Sequence, residues 1–369
     1  MQTFDFDKLQ KLIEINSWTK NKEGVDHNGN IMATWMSELG FELKRHERGH
    51  IGDHLHFVSP SKEGKRLLLL GHLDTVFPPD SFEGFREDSE WIYGPGVCDM
   101  KGGNVIAYEA LQSIHQEFGA VYNIDFLLVS DEETGSDDSK FLTAKLASDY
   151  DYCMVFEAAG VNGEVVEARK GVGTFFIDIT GKAAHAGNHY VDGVDANAEA
   201  ALKLLELKKL TDLEKNTTVN VGKIEGGIGA NTISPHARLT FELRYTDAKE
   251  RDRVLKAIDS IVATSYIEGT SSELSGGIQR DVMQPSSNQQ EFISRINTLC
   301  RVTLPTEQRG GVSDANIISS NGVATLDGWG PYGDGDHTIH ERASKQSFDE
   351  RLELVTEIFR HFSKGEFNH

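Results

Sequence analysis

Three short stretches of this chain are almost wholly apolar, and each runs straight into residues that carry charge. Residues 67–70 are four leucines, residues 124–129 read Ile-Asp-Phe-Leu-Leu-Val, and residues 152–156 read Tyr-Cys-Met-Val-Phe. Such runs, without polar alternation, belong to strands covered on both faces, the condition found in parallel sheets packed between helices. Helical periodicity fills the gaps. Residues 102–118 put Val105, Ile106, Ala110, Leu111 and Ile114 on one face, and residues 139–146 form a further helix. Upstream, residues 4–18 and 26–39 read as helices, and residues 41–46 and 54–58 as extended chain. Strands alternating with helices predict an α/β fold with a mixed, mostly parallel sheet.

The texture changes near residue 171. Residues 173–180, 217–224 and 236–245 read as strands and residues 194–210 and 252–265 as helices, with another strand before Gly276. This predicts a small α+β unit, 171–284, inserted into the larger domain, 1–170 and 285–369. The larger domain resumes after Pro285 and ends in a helix over 347–362. A chain of 369 residues is too long for one ordinary core, so two domains agree with its length.

Composition removes several function classes. A formal net charge of -21 repels phosphate backbones, which argues against nucleic-acid partners. No apolar run approaches the roughly 18 residues of a membrane span. The first eight residues carry Asp5 and Asp7 and no basic residue before Lys8, unlike a secretory signal. Cys98, Cys153 and Cys300 are odd in number and widely spaced, as free thiols of a reducing compartment are. A cytoplasmic protein is expected.

The residues after the apolar runs carry the chemistry. Carboxyl ends of parallel strands are where open α/β sheets place their sites. Gly71-His72-Leu73-Asp74-Thr75 follows the first run, and on extended chain His72 and Asp74 face one way. A metal-binding His usually gives its other ring N–H to a carboxylate, and Asp74 is placed to be that partner. Asp99 lies in the glycine-rich segment 94–103 just before a predicted helix, where by itself it would be a plain N-cap. Ser130-Asp131-Glu132-Glu133 follows the second run, and three adjacent carboxylates repel one another unless cations neutralise them. Glu157 ends the third. Near the carboxyl end, His337 and His340 stand three apart in residues 333–341, and either could be a ligand. In the inserted unit, His185 sits among small residues (181–187) and Asn231 ends a glycine loop (226–231). No G-x-G-x-x-G joins a strand to a helix, which removes a dinucleotide site, and no phosphate-binding P-loop is present. A thiol hydrolase using Cys98 would lack an evident His partner.

Eight stretches, in order, resemble the dinuclear zinc amidohydrolase family of bacterial glutamate carboxypeptidase, peptidase T, succinyl-diaminopimelate desuccinylase, acetylornithine deacetylase and aminoacylase. They are GHLDT, GPGVCDMKGG, SDEETGS, FE, GKAAHAG, EGGIGAN, RGGVSDAN and GDGDHTIHE, and they span nearly the whole chain. The glutamate carboxypeptidase branch is the most similar. The resemblance implies that His72 and Glu157 bind one cation, Glu133 and His337 the other, and that Asp99 bridges them. It implies Asp74 as orienter of His72, Glu132 as general base and His185 as oxyanion stabiliser, in its own or a partner's site. Asn231 and Arg280 would hold the carboxylate of a small peptide or N-acyl amino acid. The cations would be zinc, with cobalt or manganese as alternatives, and the inserted unit would serve as lid and homodimer contact. The sequence departs from the family pattern at His340, where members usually carry Asp or Asn.

Overall fold

The computed structural model describes residues 3–368. The chain forms two compact units. The first runs to Ala168 and includes Pro285–Arg309 and the chain from Ser313 on; the second comprises Arg169–Gln284 and Gly310–Val312. The triplet 310–312 falls with the second unit because arginine side chains of that unit grip its backbone: Arg169 Nη1 donates to Gly311 O at 3.0 Å and Arg244 Nη1 to Gly310 O at 3.1 Å.

The first unit is built on a six-stranded sheet in the order Glu42–His46, His54–Val58, Ile124–Val129, Leu67–His72, Tyr152–Val155, Ala324–Leu326. The last four run parallel, and the first two add an antiparallel edge. This is the mixed, mostly parallel α/β sheet that the apolar runs predict. Leu67–His72 and Ile124–Val129 are buried at every position, as strands covered on both faces must be. Lys101–Phe118 and Lys345–Ser363 pack against each other, and Val105, Ile106, Leu111, Leu352, Val355 and Phe359 join the core.

Some local expectations needed correction. The first helix covers only Phe6–Ile13, because Asn16 turns the chain: its Oδ1 accepts from Trp18 N–H, and its backbone carbonyl accepts from the Asn21 side chain. A helix over Ser287–Cys300 was hidden behind its polar start, where the Ser286 hydroxyl accepts from Gln289 N–H as an N-cap. A small second sheet of Arg86–Glu87, Trp91–Tyr93, Gly333–Asp334 and Arg342–Ser344 gives no sequence signal. Its strands are two or three residues long, and Arg342 pairs with Tyr93 across most of the chain.

The second unit is a four-stranded antiparallel sheet, ordered Thr218–Gly226, His236–Tyr245, Gly171–Thr180, Ser271–Arg280. Ala196–Lys208 and Ala248–Ala263 cover one face of it. Phe175, Ile177, Leu239, Phe241 and Leu243 alternate along the strands and meet Ala200, Leu207, Val254 and Ile258 of the helices. Asp195 and Asp247 cap the two helices through their carboxylates. No helix among the described residues is long and apolar enough to cross a membrane.

Candidate metal centre

Three adjacent parallel strands of the first unit deliver ligand-type side chains to one end of the sheet. Leu67–His72 ends in His72, Ile124–Val129 leads into a 3₁₀ turn over Glu132–Thr134, and Tyr152–Val155 leads to Glu157. Neighbouring strands stand about 4.8 Å apart, so residues at their common ends are within reach of shared ions. Gly71 lets the next helix close over this end. A Cβ at Gly71 would lie 2.1 Å from Asn104 Oδ1, and Asn104 Nδ2 donates to His72 O at 2.7 Å. Gly103 does the same for the third strand, since a Cβ there would lie 1.9 Å from Phe156 O.

Asp99 is not the N-cap of the helix that follows it. That helix begins at Lys101, its N-cap is Met100, and no side chain caps it. The Asp99–Met100 peptide is cis. The Asp99 carboxylate faces two histidines instead: Oδ1 lies 3.1 Å from His72 Nε2, and Oδ2 lies 3.1 Å from His337 Nε2. His72 Nε2 is also 3.6 Å from Glu157 Oε1, and His337 Nε2 is 3.1 Å from Glu133 Oε2. The structure thus brings together two triads that share Asp99: His72, Asp99 and Glu157, and Asp99, Glu133 and His337. In each, the potential donor atoms lie within 4.8 Å of one another.

The donor set fits a pair of divalent cations. Imidazole nitrogen and carboxylate oxygen are zinc ligands, with bonds of about 2.0–2.2 Å, so two tetrahedral ligands stand about 3.3 Å apart. The separations above, 3.1 to 3.6 Å, bracket that value. Electrostatics point the same way. Burial and the Asp99 charge push Glu157 up to about 7 and Glu133 well above the usual carboxylate range, and the neighbouring Glu132 adds to the shift at Glu133. Asp99 is held low despite its burial, because His337 and His72 flank it. Its carboxylate and that of Glu133 draw His337 up to about 11. Crowded, desolvated carboxylates of this kind are relieved by cations.

Between the two histidines three apart, the fold chooses. His337 is turned into the cluster at φ 61°, a left-handed conformation uncommon outside glycine, in a turn where the Thr338 hydroxyl donates to Gly335 O at 2.7 Å. His340 is exposed and belongs to neither triad.

Asp74 does more than face His72. His72 Nδ1 lies 3.0 Å from the Asp74 backbone carbonyl, which takes its N–H, while Asp74 Oδ1 at 3.4 Å is an electrostatic contact without good hydrogen-bond alignment. Asp74 Oδ2 accepts from the Thr19 hydroxyl at 2.7 Å and from Glu133 N–H at 3.3 Å. One buried carboxylate therefore ties the His72 strand end to the Glu132–Glu133 turn. Glu132 itself opens that turn and is buried.

Sequence reasoning missed Glu341. Its buried carboxylate accepts from Gly96, Cys98 and Asp99 N–H at 3.1, 2.9 and 3.1 Å, and so holds the whole Asp99 loop. Burial and Asp99 push it up to about 8. The residue stands in the GDGDHTIHE stretch, but nothing local reveals its partner 242 residues away. Residues that orient ligands typically change metal affinity 10–100-fold when altered. Glu341→Ala is expected to weaken metal retention within that range while leaving every ligand in place. Competition with a chromogenic chelator measures it, and unchanged affinity would remove Glu341 from the site. Cys98 is no nucleophile: complete burial, with Asp336, Glu341 and Asp99 near, pushes its thiol far above neutrality.

In the second unit, His185 and Asn231 sit on adjoining loops. His185 pairs with Thr232, and Ala186 N–H donates to Asn231 O at 2.9 Å. His185 Nδ1 accepts from Gly187 and Asn188 N–H, both at 3.2 Å, which leaves the ring proton on an exposed Nε2. Arg280 is elsewhere. It is buried and pairs with Val172 at one end of the sheet, whereas the His185 loop follows Thr180 at the other. The structure does not bring Arg280 to His185 and Asn231.

Comparison with known proteins agrees with this geometry. The model of peptidase family M20/M25/M40 matches residues 68–361. Carboxypeptidase G2 of Pseudomonas sp. (strain RS-16) is 28% identical over 341 residues, covering 89% of this chain and 82% of its own. Acetylornithine deacetylase of Aliivibrio fischeri (strain MJ11) is 29% identical over 262 residues, covering 64% and 67%. Among solved structures, a tripeptidase from Staphylococcus aureus superposes with a TM-score of 0.80 at 24% identity, over 97% of this chain and 98% of that one. A dinuclear metal binding peptidase from Bacillus subtilis superposes with a TM-score of 0.71 at 14% identity, over 98% of each. The chain belongs to peptidase family M20/M25/M40 and is a hydrolase.

Proposed function

We propose that this chain uses two divalent cations, zinc by preference, to hydrolyse an amide or peptide bond beside a free carboxylate, as a glutamate-carboxypeptidase-like exopeptidase. The observation that carries the reading is Asp99, whose two oxygens each face a different histidine-carboxylate pair. His72 and Glu157 would hold one cation, Glu133 and His337 the other, with Asp99 between them. Bound there, the pair would lower the pKa of a water toward neutrality and polarise the substrate carbonyl.

The chain's own residues supply the rest. Asp74 would keep His72 and the Glu132 turn in register. Glu132 would take the proton of the attacking water and return it to the leaving nitrogen as the C–N bond breaks. His185, with its proton on Nε2, would donate to the oxyanion that develops on the carbonyl, in its own or a partner's site. Asn231, on the adjoining loop, would help hold the substrate carboxylate. Arg280, at the other end of the sheet in this chain, would share that carboxylate through paired N–H donors where His185 and Asn231 come from a partner subunit.

The 28% identity to carboxypeptidase G2 favours the exopeptidase reading, and the 29% identity to an acetylornithine deacetylase supports N-acyl amino acid deacylation as the second. A panel of C-terminal glutamyl peptides, dipeptides and N-acyl amino acids separates them. Cleavage is expected to be abolished by chelation and restored by zinc, and best with a C-terminal acidic residue. Cleavage indifferent to chelation would sink the metal reading; best turnover of an N-acyl amino acid would favour the second.

The proposal includes a cytoplasmic homodimer formed through the second unit. Thr218–Gly226 is an edge strand there, with Ile224 exposed, and Leu205 is exposed on Ala196–Lys208. Apolar residues on an unpaired edge are what a self-complementary interface covers. Light scattering is expected to give twice 40.9 kDa, and a single-chain mass would refute the dimer.

A further inference from the structure

One cavity in the first unit is lined by none of the candidate metal ligands. It has a volume of about 550 Å³, within the range of small-molecule sites. Trp91, Val302, Leu304, Pro305 and Leu354 give it an apolar wall, and Arg351 and Glu350 are its charged residues.

Arg351 is the unusual member. It is only 5% exposed, yet a guanidinium has five N–H donors to satisfy. Nη2 donates to Gly163 O at 3.0 Å, and the guanidinium lies 5.4 Å from the centre of the Trp329 ring. Nη1 is buried and has no hydrogen-bond partner. Burial pulls the group down to about 10, and the nearby Glu350 and Glu164 only partly offset this. A cation kept in an apolar wall without a bonded anion is costly unless something else completes it. The group that matches a guanidinium fork is a carboxylate.

Glu350 adds a second requirement. It is exposed, immediately precedes Arg351 on Lys345–Ser363, and accepts from Gln346 Nε2 at 2.6 Å. A ligand carboxylate alone would face this negative charge. A ligand with an ammonium beside its carboxylate would answer both residues at once and leave its third substituent to the apolar wall.

We infer that this cavity binds a free α-amino acid with an apolar side chain, its carboxylate on Arg351, its ammonium toward Glu350 and its side chain against Trp91 and Leu304. The lining holds none of the candidate metal ligands, and the inference does not depend on which amide the enzyme cleaves.

Calorimetric titration of the metal-loaded protein with L-phenylalanine and with 3-phenylpropanoate, which lacks the ammonium, tests this. Binding of L-phenylalanine is expected, tighter than that of 3-phenylpropanoate. Arg351→Met should weaken both at least about tenfold, as loss of a charge-assisted pair does. Glu350→Gln should weaken only L-phenylalanine. Val302→Trp narrows the cavity without touching Arg351 and should block both, which keeps the test open if Arg351→Met fails to fold. Bound-metal content should be unchanged in all three variants. No heat with L-phenylalanine at 10 mM (roughly the weak limit of specific binding) overturns the inference. So does binding that survives both Arg351→Met and Val302→Trp but disappears on chelation, because that ligand would sit at the metal centre. Equal affinity for the two probes overturns the amino-acid assignment.

Discussion

Glu132→Ala is expected to keep two bound cations and lose roughly 10²–10⁴-fold in kcat, the usual contribution of a positioned general base. That factor corresponds to about 3–5 kcal/mol of transition-state stabilisation. The reasoning rests on a division of labour between adjacent carboxylates. Glu133 meets His337 at 3.1 Å and receives an Asp74 contact on its backbone N–H, so it is committed to the cluster. Glu132, at the start of the same turn, lies in neither triad, and yet its charge is felt at Glu133. Beside a ligand-type carboxylate and outside both triads, it is the carboxylate to which the proposed mechanism gives proton transfer. Metal analysis together with steady-state rates on the best panel substrate checks this. A variant with near-normal kcat would end the case for Glu132, and a variant without its metals would show that Glu132 is a ligand.

Asp99→Asn is the second large effect. The aspartate offers one oxygen to each histidine side, Oδ1 toward His72 and Oδ2 toward His337. An asparagine of the same shape offers one oxygen and one NH₂ group, and an NH₂ group cannot ligate a cation. At most one triad keeps its third donor. The His337 side is the more vulnerable, since His337 is 59% exposed while His72 is buried. After dialysis the variant is expected to hold no more than one cation per chain and to lose activity by about 10³-fold or more, because a two-metal site stabilises attacking and leaving groups together. Elemental analysis of the dialysed protein reads the first, and circular dichroism confirms that the fold survives. Two cations retained at near-normal rates would refute a bridging role.

Much of this protein was legible in its one-dimensional pattern. Buried parallel strands announce themselves, because a strand covered on both faces tolerates almost no polar residue, and Ile124–Val129 falls where its apolar run does. The same rule locates His72, the Glu132–Glu133 pair and Glu157, since open α/β sheets gather their sites at the carboxyl ends of such strands. Residue type at those places then restricts the chemistry to hard and borderline cations. These are local facts, set by periodicity and side-chain identity within a few residues. What needed the tertiary structure is whatever depends on distant segments meeting. Asp99 looks like a helix cap until His72 and His337 are seen on its two oxygens. His337 and His340 are equivalent as letters, and a left-handed turn alone separates them. Glu341 holding the Asp99 loop, Thr19 bonded to Asp74, and Arg351 buried beside a cavity all arise from contacts across tens to hundreds of residues. Periodicity carries no information about such pairs, because their energy comes from burial and hydrogen-bond completion that exist only once the chain has closed on itself.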